Sequence, residues 1–421
     1  MKRMVFKRRW FRIAAPAGVM LAAAGVVCLA VSGCPRQEAL EPERPKRLDG
    51  VPVVRVLVAS GPTVPLATTG AYRIVVDGKT VARSMARLGR ADVAWRAGAW
   101  GIHLAAYRGS TLTVEPLGPH ARIRVGKTSY RGRVVLHAAA DGQVLAVNHV
   151  DMESYLAGVL SKELYATWHD RAYEAQAIAA RTYALYEKHA AGAGRMYDLR
   201  DDQSSQVYGG SSAETDKAWR AVRATHGVVL AAGASGAEKI FRAHYSACCG
   251  GTVNSVYVLW GPRVTDGPLG GGQSCDDCRK CSRYRWPPVT VPKDVIHRAL
   301  AARYPAAAAL QAVKTVTVAE SLHGRPVWLD VAGPSGKSVR IRAADLRLCL
   351  LRLGHHSSRG LHSANCRIRD AGDAVLFDQG AGFGHGVGLC QWGAQFLATH
   401  GQTGEQILRY YYPGVELLRA Y

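Results

Sequence analysis

The stretch Asp170-Arg171-Ala172-Tyr173-Glu174-Ala175-Gln176-Ala177-Ile178-Ala179-Ala180-Arg181-Thr182-Tyr183-Ala184-Leu185-Tyr186 contains neither glycine nor proline and is dominated by alanine. That composition predicts a strong helix over 171–186 with Asp170 as its N-cap. Ala172, Ala175, Ile178, Ala179, Thr182 and Tyr186 recur three and four apart and so share one face. Small side chains on that stripe let a neighbouring backbone come close, so the helix is expected to be buried. Further helices fit 346–353 and 391–400.

The chain ahead of it has a different character. From Val51 to His149 come short apolar or alternating runs, Val53-Val54-Arg55-Val56-Leu57-Val58, Tyr72-Arg73-Ile74-Val75-Val76 and Arg133-Val134-Val135-Leu136-His137 among them. Turn signals such as Asp77-Gly78 and Asp141-Gly142 separate these runs, which is the pattern of strands. The expected class is therefore α+β, with a β-rich N-terminal region over 51–149 and a mixed domain over 150–421. No internal repeat is visible.

The chain opens Met1-Lys2-Arg3-Met4-Val5-Phe6-Lys7-Arg8-Arg9, basic and free of acids, and an apolar run follows from Ile13 to Val31. This order is that of an export signal, excluded from fold reasoning. The run ends in Val31-Ser32-Gly33-Cys34, small residues before a cysteine. Residues 1–34 thus read as a lipoprotein signal with Cys34 as the lipidation site, in preference to an uncleaved anchor. Residues 35–50, rich in Pro, Glu, Arg and Lys, read as a flexible tether. The folded part is expected outside the cytoplasm, tethered to a membrane.

The formal net charge is +22, and six of the cations lie in the leading segment (Lys2, Arg3, Lys7, Arg8, Arg9, Arg12), leaving +16. A basic exported protein is drawn to polyanions of the envelope. Nucleic acid is excluded as a partner by the export signal and by the lack of any nucleic-acid-binding motif.

Eight cysteines follow Cys34 and three form a doubled CxxC, Cys275-Asp276-Asp277-Cys278-Arg279-Lys280-Cys281. Zinc takes four S or N ligands at such spacings, and His244, Cys248 (or its neighbour Cys249), Cys275 and Cys278 are candidates for a structural ion. Disulfides are the competing account, since the expected compartment is oxidising.

Four separated stretches resemble one family. They are Tyr155-Leu156-Ala157-Gly158-Val159-Leu160 with Glu163-Leu164 and Trp168; Ala175 to Ala184; Asp202, Gln206-Val207-Tyr208 and Gly210 with Ala243-His244-Tyr245-Ser246-Ala247-Cys248-Cys249-Gly250-Gly251-Thr252; and Gly382-Phe383-Gly384-His385-Gly386-Val387-Gly388-Leu389-Cys390-Gln391-Trp392-Gly393-Ala394 with Tyr410-Tyr411-Tyr412-Pro413-Gly414. Their order and content resemble the SpoIID/LytB (stage II sporulation protein D) family of cell-wall proteins, over roughly residues 144–421. The resemblance implies a lytic transglycosylase acting on peptide-free peptidoglycan glycan strands, or an enhancer of a separate wall amidase. It also implies that Glu163 is the catalytic acid/base, with no cofactor required for the chemistry. Gln176, Arg181, Asp202, Gln206, Tyr208, His385 and Gln391 become candidate substrate-binding residues, each with a structural role as the alternative. Lys162 stands where the family pattern has Ser, and a cation beside Glu163 would oppose a protonated carboxyl unless the two side chains point apart.

Overall fold

The computed structural model describes residues 48–261 and 267–421. The proposed signal, Cys34 and the tether as far as Arg47 lie outside the described residues.

Strand Val144–Asp151 organises the first half of the molecule. It pairs antiparallel with Val53–Gly61 on one side and with Arg133–Ala138 on the other, near the middle of a seven-stranded sheet. A six-stranded sheet packs with it, and Val54, Val56, Val64, Trp100, Leu112, Ile123 and Leu136 form a common core between them. This is the β-rich region expected from the alternating runs, since side chains on one face of a strand point the same way.

Val144–Asp151 then passes directly into helix α1 (Met152–Glu163). Asp151 ends the strand and caps the helix, its Oδ1 accepting from Ser154 N at 2.9 Å, which satisfies an amide otherwise left open at a helix start. Met152 to Leu160 are all buried. Because Tyr155, Leu156 and Val159 join the same core as the two sheets, the hydrophobic interior begun in 51–149 continues into 150–421.

Helix α2 (Asp170–Ala191) contains the alanine-rich stretch. Its cap differs from expectation: His169 is the N-cap and accepts from Arg171 N at 3.2 Å. Asp170 is instead the first helical residue, and its carboxylate turns outward to Lys217 at 3.3 Å. The predicted stripe is buried apart from the half-buried Tyr186, and so is the opposite face. Ala172, Ala175, Ile178 and Ala179 belong to one hydrophobic cluster, whereas Tyr173, Ala177, Ala180, Ala184 and Leu185 belong to the core of the sheets. α2 is therefore the seam between two cores.

Beyond it, helices Lys293–Ala301 and Ala343–Leu353 pack on the sheet Thr315–Leu322, Arg325–Ala332 and Ser338–Arg342 as a third cluster. The second of these helices starts three residues before the expected Leu346. Helix Gln391–Thr399 follows its expected bounds. Strand Glu416–Arg419 returns to pair with Val228–Ala232. No helix among the described residues is long and apolar enough to cross a membrane.

Candidate active site

Glu163 is the last residue of α1, and Leu164 turns the chain extended immediately after it. Two donors from distant segments hold the carboxylate: Gln391 Nε2 reaches Oε2 at 3.1 Å and Val207 N reaches Oε1 at 3.2 Å. Both bonds favour the ionised form. Burial of the carboxyl opposes them and is the larger effect, so its pKa is raised above the ordinary 4.5. Its place at a helix C-terminus, the negative end of the dipole, acts in the same direction. The residue nevertheless keeps a partly exposed flank, through which a reactant could approach.

Lys162 does not oppose this. It is exposed and lies along Gly209, where an added β-carbon would come within 2.6 Å of its Cε. The two neighbours point apart.

An aromatic group is built from residues that follow Glu163 and Gln391 in the chain. The rings of Trp168 and Trp392 meet edge-on at 5.1 Å, and Tyr165, largely exposed, lies 5.9 Å from Trp392. Gln391 and Trp392 open helix Gln391–Thr399, which is tied to the start of α2 by Gln395 Oε1 accepting from His169 N at 2.7 Å. The tight approach to this helix depends on Gly388, whose φ of +67° suits glycine and where a β-carbon would fall 2.0 Å from His244 O.

Of the candidate substrate-binding residues, Gln391 alone contacts Glu163 directly. Arg181 is fully buried and forms a two-pronged ion pair with Glu153, Nε to Oε1 at 2.9 Å and Nη2 to Oε2 at 2.7 Å, with Val228 O also accepting. Its guanidinium is engaged in this buried pair between α1 and α2. Gln206 is likewise internal, accepting from Tyr155 Oη at 2.9 Å and donating to Ala180 O. Tyr208 is buried, donates to Asn148 Oδ1 and packs on Tyr155 and Tyr130, so it offers no open face to a sugar. Asp202 is exposed, but its Oδ1 caps a turn by accepting from Ser204. Gln176 is buried with no hydrogen bond to its side-chain amide among the described residues.

His385 braces the site from behind. Its Nδ1 accepts from Val387 N at 3.0 Å and the ring also bonds the backbone of Tyr245, while burial drives its pKa down to about 4. Neutral and occupied at both ends, the imidazole positions the backbone. Tyr245 was not singled out by sequence. Its hydroxyl is pushed well up by burial first and by the nearby Glu163 carboxyl second. Val207 contributes through its backbone, which no side-chain pattern could reveal.

The thiols come together in a set that the sequence accounts only partly named. All eight described cysteines are free. Cys249, Cys275, Cys278 and Cys390 bring their sulfurs within 4.8 Å of one another, all buried. This revises the expected set: Cys275 and Cys278 belong to it, whereas His244 faces Trp260, whose Nε1 donates to its Nε2 at 3.4 Å, and stacks edge-on against His385. Cys248 borders the group without belonging to the tightest four. Cys390 enters because strand Leu389–Cys390 runs parallel to Tyr245–Ser246, a long-range pairing invisible in local spacing.

Comparison with known proteins gives a consistent result. Residues 140–231, which span α1, α2 and the Gln206–Tyr208 loop, match the model of the SpoIID family, stage II sporulation protein. The chain is 27% identical over 306 residues to stage II sporulation protein D of Bacillus subtilis, covering 65% of this chain and 76% of that protein. It is 27% identical over 286 residues to an uncharacterized protein of Brachyspira hyodysenteriae, covering 65% and 68% respectively. An amidase enhancer of Bacillus subtilis is 25% identical over 303 residues, which is 62% of this chain and 40% of that protein. The segment matched by the family model holds the Glu163 helix and Val207, and these matches support the SpoIID family for this chain.

Proposed function

We propose that this protein is an exported, membrane-anchored lytic transglycosylase that cuts peptidoglycan glycan strands at Glu163. Family membership indicates a role connected with sporulation or peptidoglycan. The observation that carries the finer reading is the carboxyl of Glu163, buried enough to have a raised pKa, held by Gln391 and Val207 N, and still partly exposed.

One carboxyl is enough for this chemistry. In its neutral form Glu163 gives its proton to the oxygen linking N-acetylmuramic acid to N-acetylglucosamine. The bond from that oxygen to the muramyl anomeric carbon breaks, and its electron pair stays on the departing oxygen. The carboxylate then takes the proton of the muramyl 6-hydroxyl as that oxygen bonds to the anomeric carbon, which closes the 1,6-anhydro ring and restores the acid. The intramolecular attack provides the proximity that hydrolytic glycosidases obtain from a second carboxylate and a positioned water. Gln391 and Val207 N stabilise the carboxylate between the two steps, and Tyr165 with Trp392 offers an apolar edge for a sugar face.

Mass analysis of products from peptide-free glycan tests this reading. The wild type is expected to release chains ending in 1,6-anhydromuramic acid, and Glu163→Gln is expected to lose on the order of 10²–10⁴ of the rate while staying folded. Unchanged turnover in that variant would remove Glu163 from the mechanism. If the wild type binds glycan without cleaving it and stimulates a wall amidase, the enhancer reading replaces the enzyme.

A further inference from the structure

The thiol cluster extends beyond the four tightest sulfurs. Cys278 and Cys390 each face Cys248, Cys249 and Cys275. Cys249 and Cys275 lie to one side of this central pair, with Cys249 Sγ 3.6 Å from Cys278 Sγ. On the other side Cys248 faces Cys278, Cys390 and Cys281. All six residues are at most 6% exposed. Six thiols thus lie together, the tight four with Cys248 against two of them and Cys281 against Cys248.

We propose that these six cysteines form a two-zinc thiolate centre, with Cys249 and Cys275 completing one tetrahedral site, Cys248 and Cys281 the other, and Cys278 and Cys390 bridging both. Zinc favours four thiolate ligands in closed structural sites. On binding, six thiols release six protons to solvent and two Zn²⁺ ions replace them, which leaves a net charge of −2 on the centre. The surroundings suit that charge. Cys249 N points to Cys390 Sγ at 3.3 Å and Arg283 N to Cys281 Sγ at 3.4 Å. The buried guanidinium of Arg325 lies near Cys249, Cys390, Cys248 and Cys278 and donates to Cys249 O and Thr252 O. A buried cation beside a cluster of uncharged thiols would be uncompensated, and an anionic centre supplies the missing partner. With four thiolate ligands to each ion, no position remains for water or substrate, so the centre is structural. It joins the chain at 248–249 and 275–281 to Cys390, the residue before Gln391. This inference does not depend on the transglycosylase reading.

The test uses the full chain purified under reducing conditions and zinc alone as the probe. Elemental analysis is expected to find two zinc ions per chain, and a mercurial thiol reagent should release both. Cys281→Ser and Cys275→Ser should each lower the content to one, while Cys349→Ser and Cys366→Ser, in a separate core, should leave two. Should a variant fail to fold, cobalt titration of the unmodified chain serves instead. Thiolate-to-cobalt absorption should grow to two equivalents, and the paramagnetic signal should rise with the first ion and fall with the second as bridging thiolates couple them. A single ion unaffected by Cys281→Ser, uncoupled cobalt, or a metal-free protein with the six cysteines paired as disulfides would overturn the proposal.

Discussion

At the scale of single residues, the carboxyl of Glu163 is a balance between burial, which favours the acid, and two hydrogen bonds, which favour the carboxylate. Removing Gln391 removes one of the restraining bonds, so Gln391→Ala should raise the pKa of Glu163 further. The proposed first step needs the protonated form, so activity should fall as pH rises through that pKa. The alkaline limb of the kcat/KM profile should therefore move to higher pH in Gln391→Ala, and a shift to lower pH would contradict the assignment. The same balance has a stability consequence. A carboxyl whose folded pKa lies above its unfolded value loses stability as pH rises from about 4.5 through the folded pKa. Glu163→Gln, which cannot ionise, should thus gain thermal stability over the wild type near neutral pH and lose that advantage below pH ~4. Glu163 was identifiable in the sequence because the surrounding motif marked its position, and its separation from Lys162 became visible only with the turn at Leu164. Arg181 and Tyr208 were placed with the substrate for the same reason, motif membership. Such membership does not distinguish a residue that touches a ligand from one that supports the fold beneath it.

At the scale of elements, α1 and α2 are joined by a buried ion pair, with Glu153 in the first turn of α1 and Arg181 in the middle of α2. Glu153 also accepts from Gly227 N at 3.3 Å and from Tyr421 Oη. One carboxylate thereby connects both helices, the approach to strand Val228–Ala232 and the last residue described. Breaking a buried pair by removing one partner leaves an uncompensated charge and costs about 3–5 kcal/mol. Glu153→Ala should lower unfolding stability by that amount in urea titrations, and under the proposed activity the folded fraction should keep its KM for glycan, since the pair is buried between the helices. A changed KM with unchanged stability would return Arg181 to the binding site. The helices themselves were legible, since their composition and spacing require little context. The N-cap was not, because Asp170 suits that position by residue type, and its carboxylate instead pairs with Lys217 and Arg220, which are distant in sequence. Cys390 and Val207 were hidden for a related reason, since a strand pairing and a backbone amide acquire their roles from contacts distant in sequence.

At the scale of the whole molecule, α2 is the structural link between the core of the two N-terminal sheets and the core that holds the thiols and helix Gln391–Thr399. The ends of the described chain close on the same region: Leu48 N donates to Ala420 O at 2.7 Å, and Glu416–Arg419 pairs with Val228–Ala232. Were the cores independent, damage at one edge would stay local. With α2 buried on both faces, a loosened edge should be felt through the helix. Deleting residues 416–421 removes the partner strand of Val228–Ala232 and the Tyr421 hydroxyl from Glu153, and it exposes Val229 and Leu230. Hydrogen exchange read by mass spectrometry should then show faster exchange in Val228–Ala232 and also in α1 and α2, with the midpoint of urea unfolding lowered. Exchange confined to Val228–Ala232, with α1 as protected as in the intact chain, would mean that the cores open separately and that α2 does not couple them. The coupled outcome bears on function, because the contact between Gln391 and Glu163 crosses this seam. The same deletion should then lower the proposed glycan cleavage although none of the deleted residues hydrogen-bonds Glu163.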